Sequence, residues 1–274
     1  LKSASNSADE LFASLEHFAS KVRTQRLSGA ARKAIDSAIA DAISKLEALG
    51  VEIDPIGRPA RVFDPSNPAL VGRFVSIALV AQERVKMEEL GHSYGSGVYA
   101  IYYSGNFDQY SPISKTETPI YVGQASPSDR HAKTAILQGR KLTNRLNEHA
   151  KNIGKASSSL SLSDFECRFL VVQSGWETAA EDYLIRLFRP IWNSETNLEF
   201  GLGKHGDSFE TRSNKRSPWD TLHPGRKWAD NIGEDSKDIE TIALELIRHF
   251  ERYPPFADVE QVLESFFDEL RQVG

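Results

Sequence analysis

Two short runs rich in β-branched and aromatic residues, GVYAIYY (97–103) and PIYVGQA (119–125), sit inside a chain whose other apolar patterns are largely helical. Alternation with a period of two marks both as strands. The polar connection between them, carrying Gly105 and Pro112, is too long for a tight hairpin, so the simplest arrangement is an antiparallel pair closed by an irregular loop. A third run, DFECRFLVV (164–172), alternates in the same way.

The helices around these strands are legible from their spacing. Ser7 and Glu10 form a capping box ahead of Leu11, Phe12, Leu15, Phe18 and Val22, and a second helix carries Ile35, Ile39, Ala42, Ile43, Leu46 and Leu49 up to Gly50. After the proline-punctuated stretch 54–68, helical periodicity runs from about Leu70 to Leu90. A basic helix is expected at about 140–152, and another at 177–188, ending before Arg189-Pro190. Residues 200–235 show little periodicity, and two amphipathic helices close the chain, the last with Val259, Val262, Leu263, Phe266, Phe267 and Leu270 on one face. This order predicts an α+β fold: a small mixed or antiparallel three-stranded sheet flanked by helices, with N- and C-terminal helical extensions. The expected divisions are a helical region 1–94, a core 95–200, and a basic loop followed by acidic helices over 201–274.

Charge is unevenly spread. Residues 229–274 hold 12 Asp/Glu against 4 Lys/Arg, whereas 139–155 hold five Lys/Arg against one Glu and 204–227 six against three. A chain with a net charge of -5 can therefore still present a nucleic-acid face, although a solvated surface is the ordinary use of such runs. The single Cys167 lies in an alternating run and is expected to pack in a strand rather than act as a nucleophile. No apolar run approaches the roughly 20 residues that span a bilayer. The N-terminus lacks the order of a signal peptide, so a soluble cytoplasmic protein with no membrane association is expected.

Several polar residues stand out against this background. Arg145 and His149, four apart, project from one helix face, where a fork donor and a proton acceptor can share a phosphate; a merely solvated pair is the alternative. Glu181 shares a stripe with Leu184, Ile185 and Phe188, and a carboxylate on an apolar stripe needs a partner such as a divalent cation, unless it snorkels at the rim. Asp182, on the other face with Arg186 at i+4, reads as a surface ion pair. Tyr99 and Tyr121 are ordinary strand residues taken singly, and Asn193 is an ordinary turn residue.

The combination is more specific than its members. Gly97-Val98-Tyr99 on one strand, Tyr121-Val122-Gly123 on the next, Arg-x-x-x-His on the following helix, then a helical Glu with Asn twelve residues later resembles the GIY-YIG nuclease superfamily. The core resemblance covers about 95–195. PIYVGQASP, RPIWN and the unusual GLGKH…KRSPWDTLHPGRKWA extend it over about 60–230, toward the type II restriction endonuclease branch whose known members cut CCGCGG. Both isoleucines of the eponymous motif are valine here, at structural positions. The resemblance implies that Tyr99 activates the attacking water or relays its proton, with His149 as general base. Tyr121 would position phosphate and water, and Arg145 would bind the scissile phosphate. Glu181 would hold a single Mg2+ per active site, with Mn2+ as a substitute, and Asn193 would support the site from behind. It further implies a prokaryotic, sequence-specific enzyme that cuts double-stranded DNA as a homodimer, leaving 5′-phosphate and 3′-hydroxyl ends. A monomeric nicking enzyme of repair or homing type is one alternative, and a DNA-binding module with an inactive core is another.

Within such a nuclease the basic segments are the natural DNA contacts: Arg140 and Lys141 in one, and Lys204, His205, Arg212, Lys215, Arg216, His223, Arg226 and Lys227 in the other, interleaved with Trp219 and Trp228. The alternative is a solvated loop with both tryptophans in the core. GLGKHG (201–206) fits G-x-G-x-x-G formally, but it follows no clear strand and opens no apolar helix, so no nucleotide cofactor is expected. The histidines and the cysteine offer no pair spaced for structural zinc.

Overall fold

The computed structural model describes residues 2–25, 27–53, 56, 63–203 and 215–271, with side chains from residue 6 onward. Two compact units emerge, Leu1–Arg61 and Val62–Gly274.

The first unit holds α1 (Lys2–Thr24) and α2 (Gly29–Glu52). The capping box does not start α1, which begins at Lys2; Ser7 lies inside it, because residues 2–6 include no Gly or Pro to stop the helix. Ser28 does cap α2, accepting from the Ala31 amide at 3.2 Å. Both helices keep their apolar stripes exposed: Leu11, Phe12, Leu15 and Phe18 on α1, and Ile39, Ile43, Leu46 and Leu49 on α2.

The second unit runs through α3 (Pro68–Val80), β1 (Val85–Lys86), β2 (Gly97–Tyr103), β3 (Tyr121–Ala125), α4 (Ala135–Gln138), α5 (Lys141–Lys155), β4 (Phe165–Val171) and α6 (Glu177–Phe188). It continues with β5 (Lys215–Arg216), α7 (Pro218–Leu222), α8 (Lys227–Asp230), β6 (Glu234–Asp235), α9 (Ile239–Arg252) and α10 (Val259–Arg271). The main sheet is antiparallel in the order β1-β4-β2-β3, so it has four strands where three were expected. The extra strand comes from residues expected to be helical. The periodicity from Leu70 is real as far as Val80, but Val85 and Lys86 then pair with Cys167 and Glu166 of β4. Arg84 fixes the turn by bridging Glu117 at 2.9 Å and Glu166 at 3.6 Å. A helical periodicity carries no record of an edge strand waiting to be paired.

β2 is the central strand, and all seven of its residues are buried. Its alternation therefore separates two cores rather than core from solvent. Tyr99, Ile101 and Tyr103 face Leu142, Leu146 and Ile153 of α5, while Val98, Ala100 and Tyr102 face α3 and α6 through Leu79, Ala180, Leu184 and Phe188. The acidic C-terminal helices complete one layer each: α9 adds Ile242 and Leu246 to the α5 side, and α10 adds Val262 and Phe266 to the other. At ~1.5–3 kcal/mol for each buried aliphatic or aromatic side chain, these contacts make both helices part of the domain rather than appendages. Cys167 is buried in β4 and its thiol is pushed up to about 12 by burial, so it packs and does not react at neutral pH. Among the described residues no helix is long and apolar enough to cross a membrane.

Candidate active site

The two tyrosine motifs meet because β2 and β3 place Tyr99 directly opposite Gly123. A Cβ on Gly123 would overlap the Tyr99 hydroxyl, so glycine there makes room for the ring to lie across the neighbouring strand. Tyr121, two residues earlier on the same face, sits 6.1 Å from Tyr99 between ring centroids. α5 lies over this face and lowers His149 onto both rings, at 5.6 Å from Tyr99 and 4.9 Å from Tyr121. The Tyr99 hydroxyl is 2.7 Å from His149 Nε2. One turn earlier, Arg145 lies near the Tyr99 phenol, whose pKa rise it opposes, and pairs with Glu148 at 3.0 Å.

Depth orders these groups. Tyr99 and His149 are fully buried. Tyr121 and Arg145 stand in front of them and line a cleft of about 360 Å³, together with Glu181, Trp192, Asn193, Glu195, Phe200 and Gly203. Burial pushes the Tyr99 phenol well up, with Tyr121 adding to the rise and Arg145 opposing it. The phenol is therefore protonated at rest and within hydrogen-bond reach of His149 Nε2.

Glu181 enters from the other side of the sheet. Leu184, Ile185 and Phe188 are buried as their stripe requires, while Glu181 sits half-buried at its rim, where α6 passes β3 and the carboxylate meets the side chain and backbone of Gln124. Burial pushes its carboxyl up to about 7, and the negative charges of Glu195 and Asp182 push in the same direction. What opposes the rise is Gln124, a neutral amide rather than a cation.

Asn193 lines the cleft with its side chain already committed. Its Nδ2 donates to the Val122 carbonyl and its Oδ1 accepts from the Val122 amide, both at 2.9 Å. The pair imitates a strand on the free edge of β3 and holds the residue next to Tyr121 in register.

Among the described residues no three His, Cys, Asp or Glu side chains converge on one point where a metal would be caged. A half-buried carboxylate with no salt bridge among the described residues, facing an open cleft with a second acidic residue, suits a hard divalent cation that takes most of its oxygens from water and substrate.

The expected DNA contacts separate into three groups. Lys204, His205 and Arg212 lie outside the described residues. Arg140, Lys215 and Lys227 are exposed, and Lys141 is half-buried; Lys215 stands 3.7 Å from Glu234, while Arg216 forks onto Asp235 at 2.6 and 3.0 Å. His223 and Arg226 are corrections, since both are buried and unreachable by DNA. His223 lies between Tyr110 and Ser159, its Nδ1 2.9 Å from the Ser159 hydroxyl, and burial pushes it down to about 3, so it stays neutral. Tyr110 also donates to Glu199, which burial pushes up to about 8 and which accepts from Trp192 Nε1 at 3.0 Å. Arg226 is neutralised inside the domain by Asp220 and flanked by Trp219 and Trp228. Nothing in the local sequence separates Arg226 from its exposed neighbour Lys227; its burial is visible only in the fold. Gln124 at the Glu181 carboxylate, and Trp192, Glu195, Phe200 and Gly203 in the cleft lining, likewise reach the site only through the fold.

Residues 92–250, more than half the chain, match the family model described as the Eco29kI GIY-YIG domain. No curated protein matches the chain.

Proposed function

Because the chain belongs to the Eco29kI GIY-YIG family of nucleases, we propose that it is a sequence-specific type II restriction endonuclease cutting double-stranded DNA as a homodimer, with Mg2+ or Mn2+ at each active site. The observation that carries the chemical reading is the 2.7 Å contact between Tyr99 and His149 directly behind the cleft-lining Tyr121 and Arg145. In this reading the scissile phosphate lies in the cleft, where Arg145 donates to its non-bridging oxygens and offsets their growing charge. The attacking water stands at Tyr121. Its proton leaves inward by relay: the water gives a proton to the Tyr121 hydroxyl, Tyr121 passes its own to the Tyr99 oxygen, and Tyr99 passes its own to His149 Nε2, the general base. Glu181 would hold the cation, which when bound would supply polarisation of the phosphate and stabilisation of the departing 3′ oxygen. Asn193 keeps Tyr121 in place through Val122. Products carry 5′-phosphate and 3′-hydroxyl ends.

The exposed apolar stripes of α1 and α2 support a homodimer, since two copies have identical faces to bury and two-fold symmetry suits a palindromic site. The exposed Lys215, Lys227 and Arg140, with half-buried Lys141, remain the DNA contacts, along with the cations of 204–212. Incubating supercoiled plasmid with wild type or Glu181→Ala, with and without Mg2+, tests the reading. Discrete fragments from wild type with metal support restriction, and open circles indicate nicking. Failure to cut any plasmid with any divalent metal would sink the enzyme assignment.

A further inference from the structure

We propose that Arg226 and Asp220 are positioning residues for phosphodiester cleavage, stapling Gly201–Gly203 into the wall that holds Arg145. Arg226 Nε and Nη2 fork onto Asp220 at 2.6 and 2.7 Å, with the two side chains 0% and 1% exposed. The guanidinium lies over Trp219 at 4.6 Å and Trp228 at 4.8 Å. Its remaining donors do not go to solvent. Nη2 reaches the Gly201 carbonyl at 3.0 Å and Nη1 the Leu202 carbonyl at 3.2 Å. Asp220 is held in turn by the Ser217 hydroxyl at 2.6 Å. The Leu202 carbonyl also accepts from Asn152 at 3.1 Å, on the same helix as Arg145 and His149.

The far end of this short wall meets the catalytic arginine: a Cβ on Gly203 would stand 2.9 Å from Arg145 Nη2. Arg145 keeps 30% of its side chain exposed; Nη1 pairs with Glu148 at 3.0 Å, Tyr99 is a further neighbour, and Gly203 stands close against Nη2. A buried ion pair is a poor stabiliser, because desolvation consumes most of the Coulombic gain and apolar replacements commonly do as well. Its use here is directional. A planar fork can bind Asp220 and two carbonyls at once, whereas an ammonium cannot.

The proposal rests on Arg145 as the phosphate-binding residue, and the experiment separates the two. On plasmid that the wild type cuts, Arg145→Ala tests that reading alone; cleavage at the wild-type rate would remove it. For the staple, Arg226→Lys, folded as judged by its melting curve, is expected to lower the single-turnover cleavage rate about tenfold while changing DNA affinity in EDTA less than about threefold. Gly203→Ala is expected to give a similar loss, and the double variant no more than the larger single loss, because both act through Arg145. A rate for Arg226→Lys within about twofold of wild type, or losses that multiply in the double variant, would overturn the proposal. Should Arg226→Lys not fold, Asn152→Ala replaces it, with about a threefold loss and the same failure to multiply with Gly203→Ala expected. An unchanged rate or full multiplication with that variant overturns the proposal equally.

Discussion

Glu181→Gln should stabilise the metal-free protein above neutral pH while abolishing cleavage. The carboxyl rises from 4.5 to about 7 on folding, first because burial disfavours its charged form and second because Glu195 and Asp182 repel it. The unfolded chain thus releases this proton near 4.5 and the folded chain only near 7, so stability falls as pH rises across that window and stays low above it. At ~1.4 kcal/mol per pH unit the full penalty is about 3 kcal/mol, and the partial exposure of Glu181 brings it to about 1–2 kcal/mol. For a domain of this size that is about 2–8 °C in Tm. Glutamine keeps the shape and the contact with Gln124 without the charge. Melting curves in EDTA should show the variant above wild type at pH 8 and level with it near pH 5. Adding Mg2+ should raise wild type and leave the variant unmoved. A variant destabilised equally at both pH values would refute the reasoning, because the carboxylate would then be satisfied by the protein itself.

Tyr99→Phe removes only the hydroxyl 2.7 Å from His149, and should cut the single-turnover rate by about 10²–10⁴ with unchanged DNA affinity, as measured by quench and by anisotropy. Asn193→Ala strips two hydrogen bonds from the buried Val122 backbone; a loss of about 2–4 kcal/mol in urea unfolding is expected, together with slower cleavage as Tyr121 loosens. Lys227→Ala should lower the slope of log affinity against log salt by about one, while His223→Ala leaves that slope unchanged and instead destabilises the fold. An equal slope change from both variants would return His223 to the DNA face.

Strand and helix types were legible where a single period dominates: β2, β3, β4, α5 and α6 lie where alternation or helical spacing put them. The candidate site was legible as a grouping: Tyr121, Arg145, Glu181 and Asn193 line one cleft and Tyr99 and His149 lie buried behind it, because local structure sets most of their facing. Period alone failed where long-range pairing competes with it, as at Val85–Lys86, which leave a helical pattern to take the edge of β4. Charge failed more sharply. Arg226 and Lys227 are neighbours of the same sign, yet one is sealed against Asp220 and two tryptophans and the other is in solvent. What the chain order determines by itself is which groups share a strand or a helix face, since that depends on backbone geometry over a few residues. Which cations stay exposed, which carboxylate is pushed up by burial and which asparagine serves the backbone are decided only when distant segments pack, because desolvation and pairing depend on what arrives from elsewhere in the chain.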